Sequence, residues 1–262
     1  MRKRIKQILA GALCFGLAIS DKSALSLGEI NMDKVTVQAA ENVSDITIDG
    51  NNINKENKNG LTYKGFGLLT ANSTSDLLMD YKAEHPEKYV EMLQYLFGGS
   101  KPLMTHVKIE MGNDRNNSTG AESCTMRTED ETANVKRNAG FQLAADAKKI
   151  NPNIKISILR WNTPKWANTT EKQYKWYKNT IMAAYETYGY MVDYINPNRN
   201  EAWSDKTDTE NVKKFAKWIQ KENSDTIKDA KALDLYKKIK FIVSDEAEMI
   251  AKTAVNALYT DE

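Results

Sequence analysis

Residues 154–161 (IKISILRW) decide the fold of this chain. Isoleucines alternate with polar residues over the first five positions, which is the pattern of a β-strand with one buried face. A helical segment follows at residues 173–188 (QYKWYKNTIMAAYETY), and Gly189 is expected to end it. Because strands separated by helices of this length need crossover connections, the pattern predicts a parallel sheet covered by helices.

The same alternation of strand and helix extends in both directions from this unit. Further strands are predicted at residues 61–71, 104–111, 191–195 and 238–243. Further helices are predicted at residues 88–97, 132–150, 209–223 and 246–259, with turns at 72–75 and 196–198. The chain therefore carries about five β/α units.

Two architectures accommodate five such units, an open doubly wound sheet and a (β/α)8 TIM barrel. A complete barrel takes roughly 250 residues. Because about 40 of the 262 residues precede the repeating part, the barrel expected at residues 61–262 is incomplete and its C-terminal half is missing.

The N-terminus is typical of a secretory signal. Residues 2–6 (RKRIK) are basic, and the apolar stretch at 8–19 is too short to span a bilayer comfortably. We predict a signal peptide at 1–39 with cleavage near Ala39, a leader or linker at 40–60, and a secreted or cell-surface protein of bacterial type. An anchor that remains attached to the membrane is the alternative.

Charge and cysteine usage exclude several classes of function. The chain has 37 basic and 35 acidic residues, and the basic excess lies in the N-terminal segment. The remainder lacks the concentrated basic face that nucleic acid needs, so no nucleic-acid partner is expected. Cys14 lies in the predicted signal, which leaves Cys124 without a disulfide partner. With only His85 and His106 besides, no metal site is expected, and no nucleotide-binding motif predicts a cofactor.

Polar and aromatic residues gather where the predicted strands end, which is where parallel α/β proteins bind ligands. The pair Asn200-Glu201 follows the fourth strand of the repeating part. A carboxylic acid beside aromatic residues suits protonation of a glycosidic oxygen, and the preceding Asn suits a hydrogen bond to a sugar hydroxyl. A solvated loop carboxylate is the alternative.

Other candidate residues have two interpretations each. Trp161, Trp166 and Trp203 form an aromatic wall for a sugar ring, or they pack as ordinary core and rim residues. Asp114 accepts a sugar hydroxyl, or it turns the chain. The strand at 104–111 carries three polar residues on one face that we expect to be satisfied as a polar network: His106, Lys108 and Glu110.

Residues 108–114 (KIEMGND) resemble the KVEIGGD segment of glycoside hydrolase family 59, the galactocerebrosidase (galactosylceramidase) family. Further stretches agree in the same order: 65–67 (GFG), 95–97 (YLF), 147–154 (AKKINPNI), 161–166 (WNTPKW), 200–201 (NE) and 242–245 (IVSD). The resemblance runs from about residue 61 to about residue 255.

The resemblance implies a (β/α)8 catalytic barrel that hydrolyses β-galactosides with retention. The family's general acid/base falls on Glu201 and its Asn partner on Asn200. A sugar-contacting Trp falls on Trp161, and a hydroxyl residue falls on or near Ser118. The family's nucleophile follows the seventh strand, beyond residue 262, so it is unassigned here and residues 1–262 alone are expected to be inactive.

The sequence therefore predicts the N-terminal part of a secreted family 59-like hydrolase whose substrate is a carbohydrate or glycolipid galactoside. The segment at 196–199 is longer than in the animal enzymes, so the approach to Glu201 differs. Two alternatives are a galactoside-binding remnant without turnover and another retaining barrel glycosidase with a different sugar specificity.

Overall fold

The computed structural model describes residues 34–37, 46–49, 64–114, 122–200 and 205–243. The chain divides into two compact units, with the boundary after Tyr63. In the first unit, β1 (Lys34–Val37) pairs antiparallel with β2 (Ile46–Asp49). The sequence predicted neither strand, and the expected cleavage site falls between them. Most of the expected signal and leader lies outside the described residues.

The second unit contains a sheet of five strands that pair in parallel and follow chain order. The strands are β3 (Phe66–Thr70), β4 (Met104–Glu110), β5 (Lys155–Arg160), β6 (Tyr194–Arg199) and β7 (Lys240–Phe241). A doubly wound sheet reverses its strand order at a switch point, whereas neighbouring strands of a barrel follow one another. The described strands thus confirm a parallel α/β fold, and their order shows no such reversal.

Helices connect these strands in the part of the chain that the structure describes. They are α1 (Thr74–Glu84), α2 (Pro86–Phe97), α3 (Ala139–Ile150), α4 (Thr170–Tyr188), α5 (Asp205–Lys221) and α6 (Ala230–Tyr236), with a 3₁₀ turn at Val135–Arg137. Apolar strand residues such as Val107, Ile156 and Ile195 are buried with them in one core. Within these described segments, no helix has the length and apolar character that a membrane span requires.

Most predicted elements have slightly different bounds in the structure, and the largest differences concern one helix and one turn. The helix predicted at 132–150 begins only at Ala139, because the side chain of Asn138 caps its N-terminus. Its side-chain oxygen accepts the N–H of Gly140 at 3.0 Å, and its side-chain nitrogen donates to the Glu110 carbonyl at 2.8 Å. The turn predicted at 196–198 is wrong, since these residues belong to β6. The helix predicted at 246–259 lies outside the described residues.

The predicted turn at 72–75 is shorter than expected, because the unpredicted helix α1 begins at Thr74. Asn72 and Ser73 have left-handed backbone conformations, with φ of 59° and 57°. The N–H of Asn72 donates to the Glu110 carboxylate at 3.1 Å, and the N–H of Ser73 donates to Glu122 at 2.9 Å. Two carboxyl groups from distant parts of the chain therefore stabilise the start of α1, in the place where a local capping side chain usually acts.

The same two carboxyl groups are buried close together. Glu110 also accepts a hydrogen bond from the backbone of Glu122, and burial raises the pKa of Glu110. Burial, together with the nearby Asp76 and Glu110 carboxyls, raises the pKa of Glu122 to about 7. Glu122 is therefore largely protonated in the folded protein at mildly acidic pH, whereas it ionises near pH 4.5 in the unfolded chain.

This raised pKa predicts a pH-dependent stability. A carboxyl group with a folded pKa above its unfolded value contributes stability below pH 4.5 that is lost as the pH rises toward 7. The loss is on the order of 3 kcal/mol. Because Glu122→Gln is neutral at every pH, we expect urea unfolding between pH 5 and 8 to show the variant gaining stability relative to wild type as the pH rises.

The control is Glu91→Gln, which removes an exposed carboxylate whose pKa the Lys88 hydrogen bond lowers. The difference between this variant and wild type should change with pH in the opposite direction and much less. Equal pH slopes for wild type and Glu122→Gln would contradict the assignment.

Candidate active site

The carboxyl ends of three neighbouring strands are connected at one edge of the sheet. After β4, the side-chain amide of Asn113 donates to the carbonyl of Thr163, in the loop after β5, at 3.3 Å. After β6, the N–H of Asn200 donates to the carbonyl of Arg160, the last residue of β5, at 2.8 Å. Residues that follow β4, β5 and β6 are therefore held together at the edge of the sheet where parallel α/β proteins bind ligands.

Asn200 stands directly after β6, the fourth strand of the sheet. It is 6% exposed, and its Oδ1 has no hydrogen-bond partner among the residues that the structure describes. Because a buried amide oxygen without a partner costs free energy, this atom is suited to accept a hydrogen bond from a ligand. Glu201, Trp203 and Ser118 lie outside the described residues.

The two tryptophans after β5 differ in their surroundings. Both are half-buried, and Trp161 follows β5 immediately. The indole N–H of Trp166 donates to the carbonyl of Met126 at 2.9 Å, and the ring packs against the core. Trp161 therefore suits contact with a ligand, and Trp166 suits packing.

Asp114 is engaged within its own loop. Both of its carboxylate oxygens bind the Arg127 guanidinium, at 2.8 and 3.2 Å, and one also accepts the N–H of Cys124. The hydrogen bond from Arg127 lowers the pKa of Asp114, and the residue has a left-handed φ of 58°. These contacts favour the interpretation that Asp114 turns the chain over binding of a sugar hydroxyl.

The glycine that precedes this turn allows a close approach of two backbones. A Cβ atom on Gly112 would lie 1.7 Å from the Glu122 carbonyl oxygen. Gly112 also forms a parallel bridge with Cys124. The loop that returns to the strand end therefore requires glycine in the KIEMGND segment.

The polar residues along β4 are satisfied by different elements. His106 shares a hydrogen bond of 2.7 Å with the Ser157 hydroxyl of β5, and burial lowers the pKa of its imidazole. Glu110 accepts the N–H of Asn72 before α1. Among the described residues, no group of three or more His, Cys, Asp or Glu side chains is arranged to bind a metal ion.

Sequence reasoning assigned no role to Arg160, which the structure buries at the same edge. Its Nη2 donates to Gln173 Oε1 of α4 at 3.1 Å and to the carbonyl of Pro197 in β6 at 3.2 Å. The sequence did contain a signal for it. Arg160 continues the buried row that Ile156 and Ile158 occupy, and a cation in an apolar row is unusual.

Comparison with known proteins identifies the family to which the chain is similar. The family model of glycosyl hydrolase family 59 matches residues 63–261. The galactocerebrosidase of Danio rerio is 32% identical over 146 residues, which cover 52% of this chain and 22% of that protein. The galactocerebrosidase of Homo sapiens is 34% identical over 141 residues, 52% of this chain and 19% of that protein. The matched part therefore spans about a fifth of these relatives.

A solved structure also shares the fold. SrfJ from Salmonella typhimurium superposes with a TM-score of 0.50 over 71% of this chain and 44% of that chain, at 16% sequence identity. That likeness concerns the fold alone, whereas the sequence match identifies the family. Because the family model covers most of the sequence, including every strand of the parallel sheet, the chain belongs to glycosyl hydrolase family 59.

Proposed function

We propose that this chain forms part of a (β/α)8 barrel that hydrolyses β-galactosidic bonds with retention of configuration. The observation that carries the proposal is the position of Asn200. It directly precedes Glu201, follows the fourth strand of the sheet and leaves a buried side-chain oxygen unpaired among the described residues. An Asn-Glu pair at the end of the fourth strand is the feature that the family resemblance assigns to acid/base catalysis.

In this proposal Glu201 is the general acid/base. It protonates the glycosidic oxygen as the bond to the galactose breaks, and it then removes a proton from the water that releases the sugar. Retention also requires a second carboxyl group, roughly 5–5.5 Å away, that attacks the sugar carbon. That nucleophile is not assigned to a residue of this chain.

Asn200 and Trp161 bind the sugar in the proposed site. The unpaired Oδ1 of Asn200 accepts a hydrogen bond from the hydroxyl next to the reacting carbon. Such a bond strengthens as positive charge develops on the ring in the transition state. Trp161 offers part of its indole face to the apolar side of the galactose. Ser118 and Trp203 are proposed to contact the same ligand.

Strand order and relatives support the barrel and the substrate class. The five parallel strands follow chain order, as neighbouring strands of a barrel do. The two relatives described above are galactocerebrosidases, which supports a β-galactoside with either a lipid or a carbohydrate leaving group. Assays with galactosylceramide and with lactose distinguish the two leaving groups.

The direct test uses the complete barrel of which this chain is proposed to form part, with 4-nitrophenyl β-D-galactoside and the matching β-D-glucoside. We expect hydrolysis of the galactoside, with β-galactose as the first product in proton NMR. Preference for the glucoside would indicate another retaining glycosidase. Galactose binding without turnover would indicate a binding remnant, and absence of both binding and hydrolysis would contradict the proposal.

Glu201→Gln tests the acid/base role through the leaving group. For substrates with poor leaving groups, which need protonation, we expect the glycosylation rate to fall by about 10²–10⁴-fold. Activated aryl galactosides need little protonation, so that step should slow much less. Single-turnover kinetics with a series of aryl galactosides measures the difference, and an equal loss for both kinds of leaving group would exclude a general acid.

Trp161→Ala and Trp166→Ala separate sugar binding from packing. We expect Trp161→Ala to weaken binding of galactose about tenfold with little change in Tm, because it removes an accessible ring. Trp166→Ala should lower Tm without weakening binding in the remaining folded protein, because its indole binds the Met126 carbonyl. Calorimetric titration and thermal unfolding of both variants provide the measurement. The reverse pattern would contradict the assignment.

We also propose that the chain is secreted by its basic and apolar N-terminal segment. Cleavage near Ala39 would remove β1 and leave β2 without the partner that the structure gives it. Mass spectrometry of the protein from the culture medium should show a mature chain that begins near residue 40. An intact N-terminus on exported protein would instead indicate an anchor that retains the β1–β2 hairpin.

A further inference from the structure

Strand β6 contains two extra residues where it approaches the candidate site. Ile195 pairs with Ile158 of β5, and the next pair is Arg199 with Arg160. Between these two pairs lies one residue of β5 but three residues of β6. Extra residues of this kind form a β-bulge, which disrupts regular pairing and redirects the chain that follows. The bulge lies within residues 196–198, and only Arg199 separates it from the Asn200-Glu201 pair.

Other elements bind the backbone carbonyls that the bulge removes from the regular ladder. The hydroxyl of Tyr177, in α4, donates to the carbonyl of Asn196 at 2.6 Å. The guanidinium of Arg160 donates to the carbonyl of Pro197 at 3.2 Å. A proline is tolerated in a strand at a bulge, because it has no N–H that the ladder requires. The bulge is therefore supported from α4 and from β5.

Side-chain amides complete the bulge. The side chain of Asn196 accepts the N–H of Asn198 at 3.0 Å. The side chain of Asn198 donates to the carbonyl of Asp208 at 3.2 Å and accepts from Asn211 at 3.3 Å, both in α5. The short asparagine side chains thus replace ladder partners, and they connect the bulge to the helix that follows β6.

Arg160 contacts this segment in two ways. Its side chain binds the Pro197 carbonyl, and its own carbonyl accepts the N–H of Asn200 at 2.8 Å. The residue is buried, and among the described residues no carboxylate forms an ion pair with it. Its Nε also has no hydrogen-bond partner there. A buried cation with only neutral acceptors costs folding free energy, so its value to the protein lies in the geometry that it fixes.

We propose that Arg160, supported by Tyr177, is a positioning residue that sets the place of Asn200 and hence of the covalently attached Glu201. The inference rests on the function proposed above, because it assigns a role to Arg160 in that reaction. It requires no contact between Arg160 and substrate. Removal of the guanidinium leaves the Pro197 carbonyl without its donor, so the bulge relaxes and the backbone at Asn200 moves.

The first experiment measures backbone geometry and needs no activity. In Arg160→Met, amide hydrogen exchange followed by NMR should be at least tenfold faster at Asn198 and Asn200, whose N–H groups are bonded in the bulge. Exchange at Ile242, whose N–H binds the Ile195 carbonyl before the bulge, should stay within about twofold of wild type. The matched control is Lys155→Met, which removes a cation from the other end of β5. It should leave Asn198 and Asn200 unchanged.

The second experiment measures the reaction of the complete barrel with an aryl β-galactoside. In Arg160→Met we expect kcat to fall by about 10–100-fold with KM changed less than threefold, because misplacement of a catalytic group slows chemistry more than binding. Arg160→Lys keeps one donor and should recover part of the loss, and Tyr177→Phe should show a smaller loss of the same kind. Lys155→Met should retain the wild-type kcat.

The two experiments separate the positioning role from the enzymatic function. Unchanged exchange at Asn200 in folded Arg160→Met would overturn the positioning role, and so would a wild-type kcat. If Arg160→Met does not fold, Arg160→Lys and Tyr177→Phe decide through the same exchange measurement. A complete wild-type barrel without hydrolysis would overturn the proposed function, and the exchange measurement would still decide whether Arg160 positions Asn200.

Discussion

The hydrogen bond from the N–H of Asn200 to the carbonyl of Arg160 is the constraint on which the candidate site depends. It restores contact between β5 and β6 after the bulge, so it fixes where the fourth strand of the sheet ends. The residues after a strand inherit their position from that end. The place of Asn200 relative to Trp161, which follows Arg160 in sequence, is therefore a consequence of how β6 pairs with β5.

Some polar side chains at this edge already have hydrogen-bond partners within the protein, whereas others have an oxygen without a partner among the described residues. Glu110 and Glu122 accept N–H groups before α1, and both Asp114 oxygens are bound by Arg127. These side chains stabilise the loops around the site. Asn200, with its unpaired Oδ1, and the half-buried Trp161 remain available among the described residues. Knowing which polar atoms already have a hydrogen-bond partner thus excludes more candidates for ligand contact than residue type alone does.

The sequence predicted those elements whose signals are local. Strand β5 and helix α4 were predicted because apolar alternation and the helix-ending Gly189, which has a φ of 77°, lie within the segment itself. Helix α1 was missed because its apolar residues are adjacent at 77–79 and its N-terminus is stabilised by carboxyl groups 38 and 49 residues away. The segment at 196–198 was assigned to a turn for the same reason, since its stabilising partners come from other elements. Asn200 was expected at a strand end because the strand signal lies within the segment before it, and it directly follows β6.

Arg160 connects the bulge to the end of β6 through two different parts of the residue. Its guanidinium binds Gln173 of α4 and the bulge carbonyl of Pro197, on the row that faces the helices. Its main-chain carbonyl accepts the N–H of Asn200. Because the side chain and the main chain of one residue hold both ends of the segment, the bulge and the backbone at Asn200 are fixed relative to each other, which a residue in contact with only one of them could not achieve.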